Sequence, residues 1–206
     1  MTTALVLGFG PFPGAPSNPS AKLVRALARR RRPALSETKI VAAVLPTTYV
    51  AVARDLPALL KRHDPDVVLF FGLASRAEFP RIESRAVNAA SAVHADAARF
   101  KPSAKQIIGG APAALPVRAP LQQTAAAMRG AHVVVQHSRD AGHYICNAAL
   151  FSALDSARRA GRPKQIAFIH IPQPRTRARS RRPAMADLVR AGEAALVALV
   201  SANKRS

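Results

Sequence analysis

The chain has 206 residues, 49% of them hydrophobic, which is enough to bury one sizeable core and short for two ordinary domains. Its single cysteine excludes an internal disulfide, and no apolar run approaches the roughly 20 residues of a membrane-spanning helix. The formal charge of +20 arises from 31 Lys and Arg against 11 Asp and Glu, yet aromatics are 5% with no Trp, so a base-stacking nucleic-acid surface is poorly supplied.

Short apolar runs alternate with amphipathic stretches, the pattern of an α/β layer fold in a single domain over 1–206. Ala4–Leu7 predicts a first buried strand, ended by the loop Gly8 to Gly14, whose prolines forbid a sheet ladder. Ser20 is placed to cap a helix running to about Arg29. A strand over 39–45 and a helix over 49–62 follow. The continuous apolar run 66–72 predicts a strand covered on both faces, near the middle of the sheet.

Residues 73–118 lack strong periodicity, apart from a short strand expected near 82–88. A helix over 121–129, a strand over 132–136 and a helix from about Tyr144 to before Gly161 come next. Gln165–Ile171 predicts another buried strand, stopped by Pro172 and Pro174. The last helix spans 185–203, with Met185, Leu188, Val189, Leu196, Leu199 and Val200 on one face. The N-terminal stretch lacks a basic flank followed by a long apolar segment, so a cytoplasmic location is expected.

Cys146 falls near the predicted start of a helix, where free amides and the helix dipole favour a thiolate and can hold an oxyanion. A lone cysteine is also a common core residue. His170 ends a buried strand, the place where open α/β sheets bind ligands and where an imidazole can activate a thiol; a backbone carbonyl could equally satisfy it. Glu83 is one of few acidic residues and lies in a locally apolar stretch, either exposed or orienting an imidazole. The Gly8-x-Gly10-x-x-x-Gly14 loop has the wrong spacing for a dinucleotide fingerprint. No phosphate loop or zinc-ligand spacing is present, so no cofactor or metal is expected.

Several segments, in order along the chain, resemble the pyroglutamyl-peptidase I family of cysteine peptidases. They are Gly8-Phe9-Gly10-Pro11-Phe12 with Asn18-Pro19-Ser20, Leu45-Pro46 with Tyr49, Gly72-Leu73-Ala74, Glu83 with Ala86 and Asn88, Ala141 to Asn147 around Cys146, and Phe168 to Pro172 around His170. The resemblance implies an α/β/α sandwich around a twisted, largely parallel sheet, and cleavage of an N-terminal pyroglutamyl residue without a cofactor. It implies Cys146 as nucleophile, His170 as general base and acid, and Glu83 as the group holding the imidazole. Phe9, Phe12 and Leu73 would bind the substrate, the two aromatic rings lining an apolar pocket for the flat, uncharged lactam. The partner it implies is a peptide with a blocked N-terminus, handled by a homo-oligomer, a tetramer or dimer.

Besides Ser75-Arg76, which stand where the family carries Gly-Gly-Arg, three positions depart from the family pattern. Val93 stands where the family has an arginine near the oxyanion site, Asp140 replaces a small polar residue before the Ala141-Gly142 turn, and His143 replaces a small or hydroxyl residue. A carboxylate beside the nucleophile would oppose both thiolate and oxyanion. Two other readings stay open: a hydrolase of another blocked amide or ester, and a non-catalytic relative holding an anionic partner. The basic runs Arg29–Arg32 and Arg175–Arg182 are read as solvated surface, and nucleic acid is not the expected partner.

Overall fold

The longest apolar runs lie side by side in the computed structural model of the protein, which describes residues 1–91, 93–177 and 180–205. Ala92, in the stretch carrying Val93, and Arg179, in the second basic run, lie outside the described residues. Strands β1 (Thr2–Phe9), β2 (Thr38–Leu45), β3 (Val67–Leu73), β4 (Arg81–Glu83), β7 (Gln136–Ser138) and β8 (Gln165–Ile171) form one sheet in the order β2-β1-β3-β8-β4-β7. All neighbouring pairs are parallel except β4 with β8. A second, two-stranded sheet pairs β5 (Arg85–Val87) antiparallel with β6 (Ala114–Pro116).

The central strands β1, β3 and β8 are apolar at successive positions because both of their faces are covered. Leu5, Leu7, Val68, Phe70, Ile166 and Phe168 face α2 (Tyr49–His63) and α4 (Ile145–Ala160). The alternate residues Ala4, Val6, Val67, Leu69, Ala167 and Ile169 join a second apolar cluster with α1 (Pro19–Ala28), α3 (Leu121–Gly130) and α5 (Met185–Asn203). Helix–helix contacts keep to this division: α2 packs on α4, while α1 and α3 pack on α5. The result is the three-layer α/β/α arrangement expected from the sequence.

Local chemistry shifts several predicted elements. The cap of α1 is Asn18, whose Oδ1 accepts from the Ser20 amide at 3.1 Å; Ser20 lies inside the helix and instead bonds the Phe9 amide through Oγ at 3.0 Å. The strand expected over 132–136 does not form there. His132 adopts a left-handed φ of 61°, and Val133 and Val135 enter the core from irregular backbone, so pairing begins only at Gln136. The single strand expected near 82–88 is two strands in two sheets: Glu83 ends β4, and the chain leaves the main sheet through Ser84.

Parallel register aligns Gly72 of β3 with His170 of β8, near the C-terminal ends of both strands. Antiparallel pairing of β4 against β8 sets Arg81 opposite His170 and Ile82 opposite Ile169, so Glu83 lies two positions further in, on the same sheet face as His170. Three residues remote in sequence therefore converge because of strand order.

Candidate active site

Every side chain in this cluster is supplied by the end of a regular element. His170 is buried, with its Nδ1 2.8 Å from Oε1 of Glu83, which is 1% exposed. Glu83 Oε2 is also buried and has no hydrogen-bond partner among the described residues, so the carboxylate's principal partner is the imidazole. The Cys146 sulfur packs at Gly72, which is in register with His170, so thiol and imidazole are neighbours. Burial alone would lower the His170 pKa, but hydrogen bonds and charges from Cys146 and Glu83 outweigh it and push the value up to about 9.

Cys146 is the second residue of α4. The approach to that helix turns at Gly142, with φ of 77°, and continues through Tyr144 in extended conformation. Among the described residues no side chain caps this helix end, so its first turn offers amides and the positive end of its dipole to an anion near the sulfur. Gly72 lies directly against the cysteine. A Cβ built there would be 2.8 Å from Cys146 Sγ and 2.8 Å from Phe168 Cζ. The absent side chain is what allows the thiol to sit over the sheet end.

Aromatic residues border the cysteine. Phe12 lies 6.2 Å from Tyr144, Tyr144 lies 6.2 Å from Tyr49, and Tyr49 lies 6.5 Å from Phe100, all measured between ring centroids. Phe12 is partly exposed, whereas Phe9 is 1% exposed and stacks on Phe168, whose ring in turn lies 4.7 Å from that of His170. Phe12 therefore presents surface at the site, and Phe9 supports the imidazole from below. Leu73, half-buried, follows Gly72 on the other side of the strand end and lines a separate cavity with Gln173.

Polar residues beyond the predicted cluster hold its loops. Asn147 is fully buried; its Oδ1 accepts from Val87 N at 2.9 Å, and its Nδ2 donates to the carbonyls of Val87 and Ala89 at 2.8 and 3.1 Å. It ties the start of α4 to the segment after Glu83. Asp96, also fully buried, accepts from the amides of Tyr49, Ala98 and Phe100 within 3.0 Å, fixing the loop that follows Val93. Tyr144 Oη donates to the Ala95 carbonyl at 3.0 Å. Burial and the charge of Asp96 push the Tyr144 pKa up to about 12, so its phenol stays protonated. Asn147 directly follows the cysteine and Asp96 follows Val93 in sequence, but a buried bracing role leaves no periodic signal that would mark either.

The three divergent positions are all exposed. Val93 is 74% exposed, Asp140 directs Oδ1 to the Gly142 amide at 2.8 Å, and His143 contributes its carbonyl to Tyr49 Oη at 3.3 Å. Asp140 thus holds the turn before α4, and its exposure lets solvent screen the charge expected to oppose the thiolate. Among the described residues, no group of His, Cys, Asp and Glu could hold a metal ion. Among the same residues, no helix is long and apolar enough to cross a membrane.

The pyroglutamyl peptidase family matches the chain over residues 2–202. Similar curated proteins include the pyrrolidone-carboxylate peptidase of Thermococcus kodakarensis, 33% identical over 168 residues, which cover 82% of this chain and 80% of that protein. Pyrrolidone-carboxylate peptidase 1 of Ralstonia nicotianae is 34% identical over 172 residues, covering 84% and 79%. Among solved structures, pyroglutamyl peptidase I of Bacillus amyloliquefaciens superposes with a TM-score of 0.87 at 25% identity, over 98% of each chain. The pyrrolidone carboxyl peptidase of Thermococcus litoralis gives 0.91 at 24% identity, over 100% of this chain and 97% of that one.

Proposed function

The chain belongs to the pyroglutamyl peptidase family, and from that premise we propose that it is a cysteine peptidase that removes N-terminal pyroglutamate from peptides through Cys146, His170 and Glu83. The observation that carries this reading is the buried Glu83–His170 pair at 2.8 Å, coupled to the only cysteine at an uncapped helix start.

The thiolate of Cys146 attacks the carbonyl carbon of the pyroglutamyl residue, forming a C–S bond, and the carbonyl oxygen takes the negative charge. Amides in the first turn of α4 face that oxyanion, where each well-aimed donor is worth about 10²-fold in rate. Collapse breaks the scissile C–N bond, and the His170 imidazolium gives its proton to the departing amine. The thioester that remains is opened by water. His170, now neutral, takes one water proton, the hydroxyl adds to the acyl carbon, and the C–S bond breaks to return the thiolate and free pyroglutamic acid. Glu83 keeps the ring oriented and stabilises its charged form throughout. The lactam ring lies against Phe12 and Tyr144, with Phe9 supporting the floor, and Leu73 stands on the leaving side.

The family resemblance implies a homo-oligomer, which light scattering on a sizing column measures, and the N-terminal sequence is the ground for a cytoplasmic location. The activity itself is tested by release of a fluorogenic amine from a pyroglutamyl anilide. Release that disappears in Cys146→Ala supports the assignment, whereas equal release by that variant removes Cys146 as nucleophile.

A further inference from the structure

A cavity of about 460 Å³ bordered by the first basic run, an apolar groove between α2 and α4, and a smaller cavity beside the catalytic strand ends are concave features outside the lactam site. The third is the one whose position ties it to the reaction. Its volume is about 290 Å³, and its walls include Ser17, Leu73, Ser75, Gln173 and Arg182. Leu73 follows Gly72, the residue against Cys146, and Gln173 is three residues beyond His170. The Ala74 amide donates to the Ile171 carbonyl at 2.9 Å, so both strands enter this wall together. Leu73 alternates with Gly72 across the sheet, and Ile171 with His170. The cavity therefore opens toward the α1/α5 side, away from the face carrying Cys146 and Tyr144.

The aromatic residues and this cavity therefore lie on opposite sides of the strand ends that carry His170. Arg182 stands at its wall on a loop closed by the Arg175 amide donating to the Pro183 carbonyl at 3.0 Å. One guanidinium nitrogen, Nη2, donates to the Ser75 carbonyl at 3.0 Å, and no carboxylate pairs with Arg182 among the described residues. A guanidinium anchored by one nitrogen keeps further donors in a fixed plane, suited to a carboxylate.

We propose that Arg182, with Gln173 beside it, forms a leaving-side subsite that selects pyroglutamyl peptides carrying a carboxylate close to the scissile bond. The carboxylate is either an acidic side chain on the following residue or the chain terminus of a pyroglutamyl dipeptide. This selectivity rests on the pyroglutamyl-peptidase reading above.

The test compares kcat/KM for two isosteric pairs: pyroglutamyl-glutamate amide against pyroglutamyl-glutamine amide, and pyroglutamyl-alanine against its amide. The wild type is expected to favour the charged member of at least one pair by about fivefold, the scale of a partly exposed ion pair with good geometry. Arg182→Gln brings that ratio to about one, and Arg182→Lys retains part of it. Arg30→Gln, which removes the same charge from a distant loop, separates local recognition from long-range attraction by the net charge. The first pair alone responding identifies a side-chain carboxylate, and the second alone a terminal one. A ratio near one in the wild type, or an equal fall in Arg30→Gln and Arg182→Gln, overturns the subsite. Lack of wild-type turnover on all four substrates and on a neutral pyroglutamyl anilide instead overturns the peptidase reading, and the subsite with it.

Discussion

Replacing Gly72 by alanine adds one methyl group at the point where β3 meets the nucleophile. The new Cβ falls 2.8 Å from Cys146 Sγ, 2.8 Å from Phe168 Cζ and 2.9 Å from its Cε1, whereas ordinary contact starts near 3.4 Å. The neighbours must therefore retreat by about 0.6 Å, and two of the three atoms belong to a ring stacked between Phe9, Phe70 and His170. Overpacking of this kind costs about 1–3 kcal/mol. In a chain of this length that lowers the unfolding midpoint by roughly 2–12 °C. The sulfur is the easier atom to displace, and a misplacement of about 1 Å at a reacting centre can cost about 10²-fold. Gly72→Ala should therefore lose at least about tenfold in kcat, with a smaller change in KM. Thermal unfolding and pyroglutamyl-anilide kinetics measure the two effects. A variant with unchanged midpoint and unchanged kcat would refute the claim that the sulfur needs the space left by this glycine.

The remaining predictions concern the charge and the bracing of the site. In Glu83→Gln the His170 pKa falls from about 9, because a carboxylate that favours the imidazolium is gone; NMR titration of the ring reads the shift directly. A raised folded-state pKa has a definite sign: the stabilisation is fully present below the ordinary value of 6.5 and is lost as pH rises through about 9. Wild-type stability should accordingly decline across that window, and the decline should be shallower in Glu83→Gln; identical pH profiles would contradict the assignment. Asn147→Ala strips partners from the Val87 amide and from the carbonyls of Val87 and Ala89, with an expected loss of about 2–4 kcal/mol in urea unfolding. Asp96→Ala releases the amides of Tyr49, Ala98 and Phe100, so proteolysis within 91–100 should accelerate and KM rise; unaltered cleavage rates would show that the loop has another anchor.

The sequence made the central strands legible because burial on both faces leaves an uninterrupted apolar run, as in Val67–Leu73 and Gln165–Ile171. It also brought Cys146, His170 and Glu83 forward, since each lies in a short segment resembling a known peptidase motif. What it could not supply was their meeting. That depends on β4 joining antiparallel beside β8, a long-range pairing absent from any local pattern. The same limit explains the misplaced strand at 132–136. Val133 to Val135 have high strand propensity, but Val133 and Val135 gain their burial from the α3/α5 cluster without a ladder. The exposure of Val93 and Asp140 is likewise a property of the fold that the sequence does not display. Arg182 lay in a basic run read as solvated surface; only the fold places it beside Leu73 and Gln173.

The most direct measurement of the central claim is the intact mass of the enzyme, acid-quenched during turnover of a pyroglutamyl ester or anilide, followed by peptide mapping. One pyroglutamyl group is expected as a thioester on the peptide containing Cys146, accumulating further when the base is removed in a variant such as His170→Ala supplied with a reactive ester. Release of the amine at an unchanged rate by Cys146→Ala, or an acyl group mapped to any other residue, would contradict it.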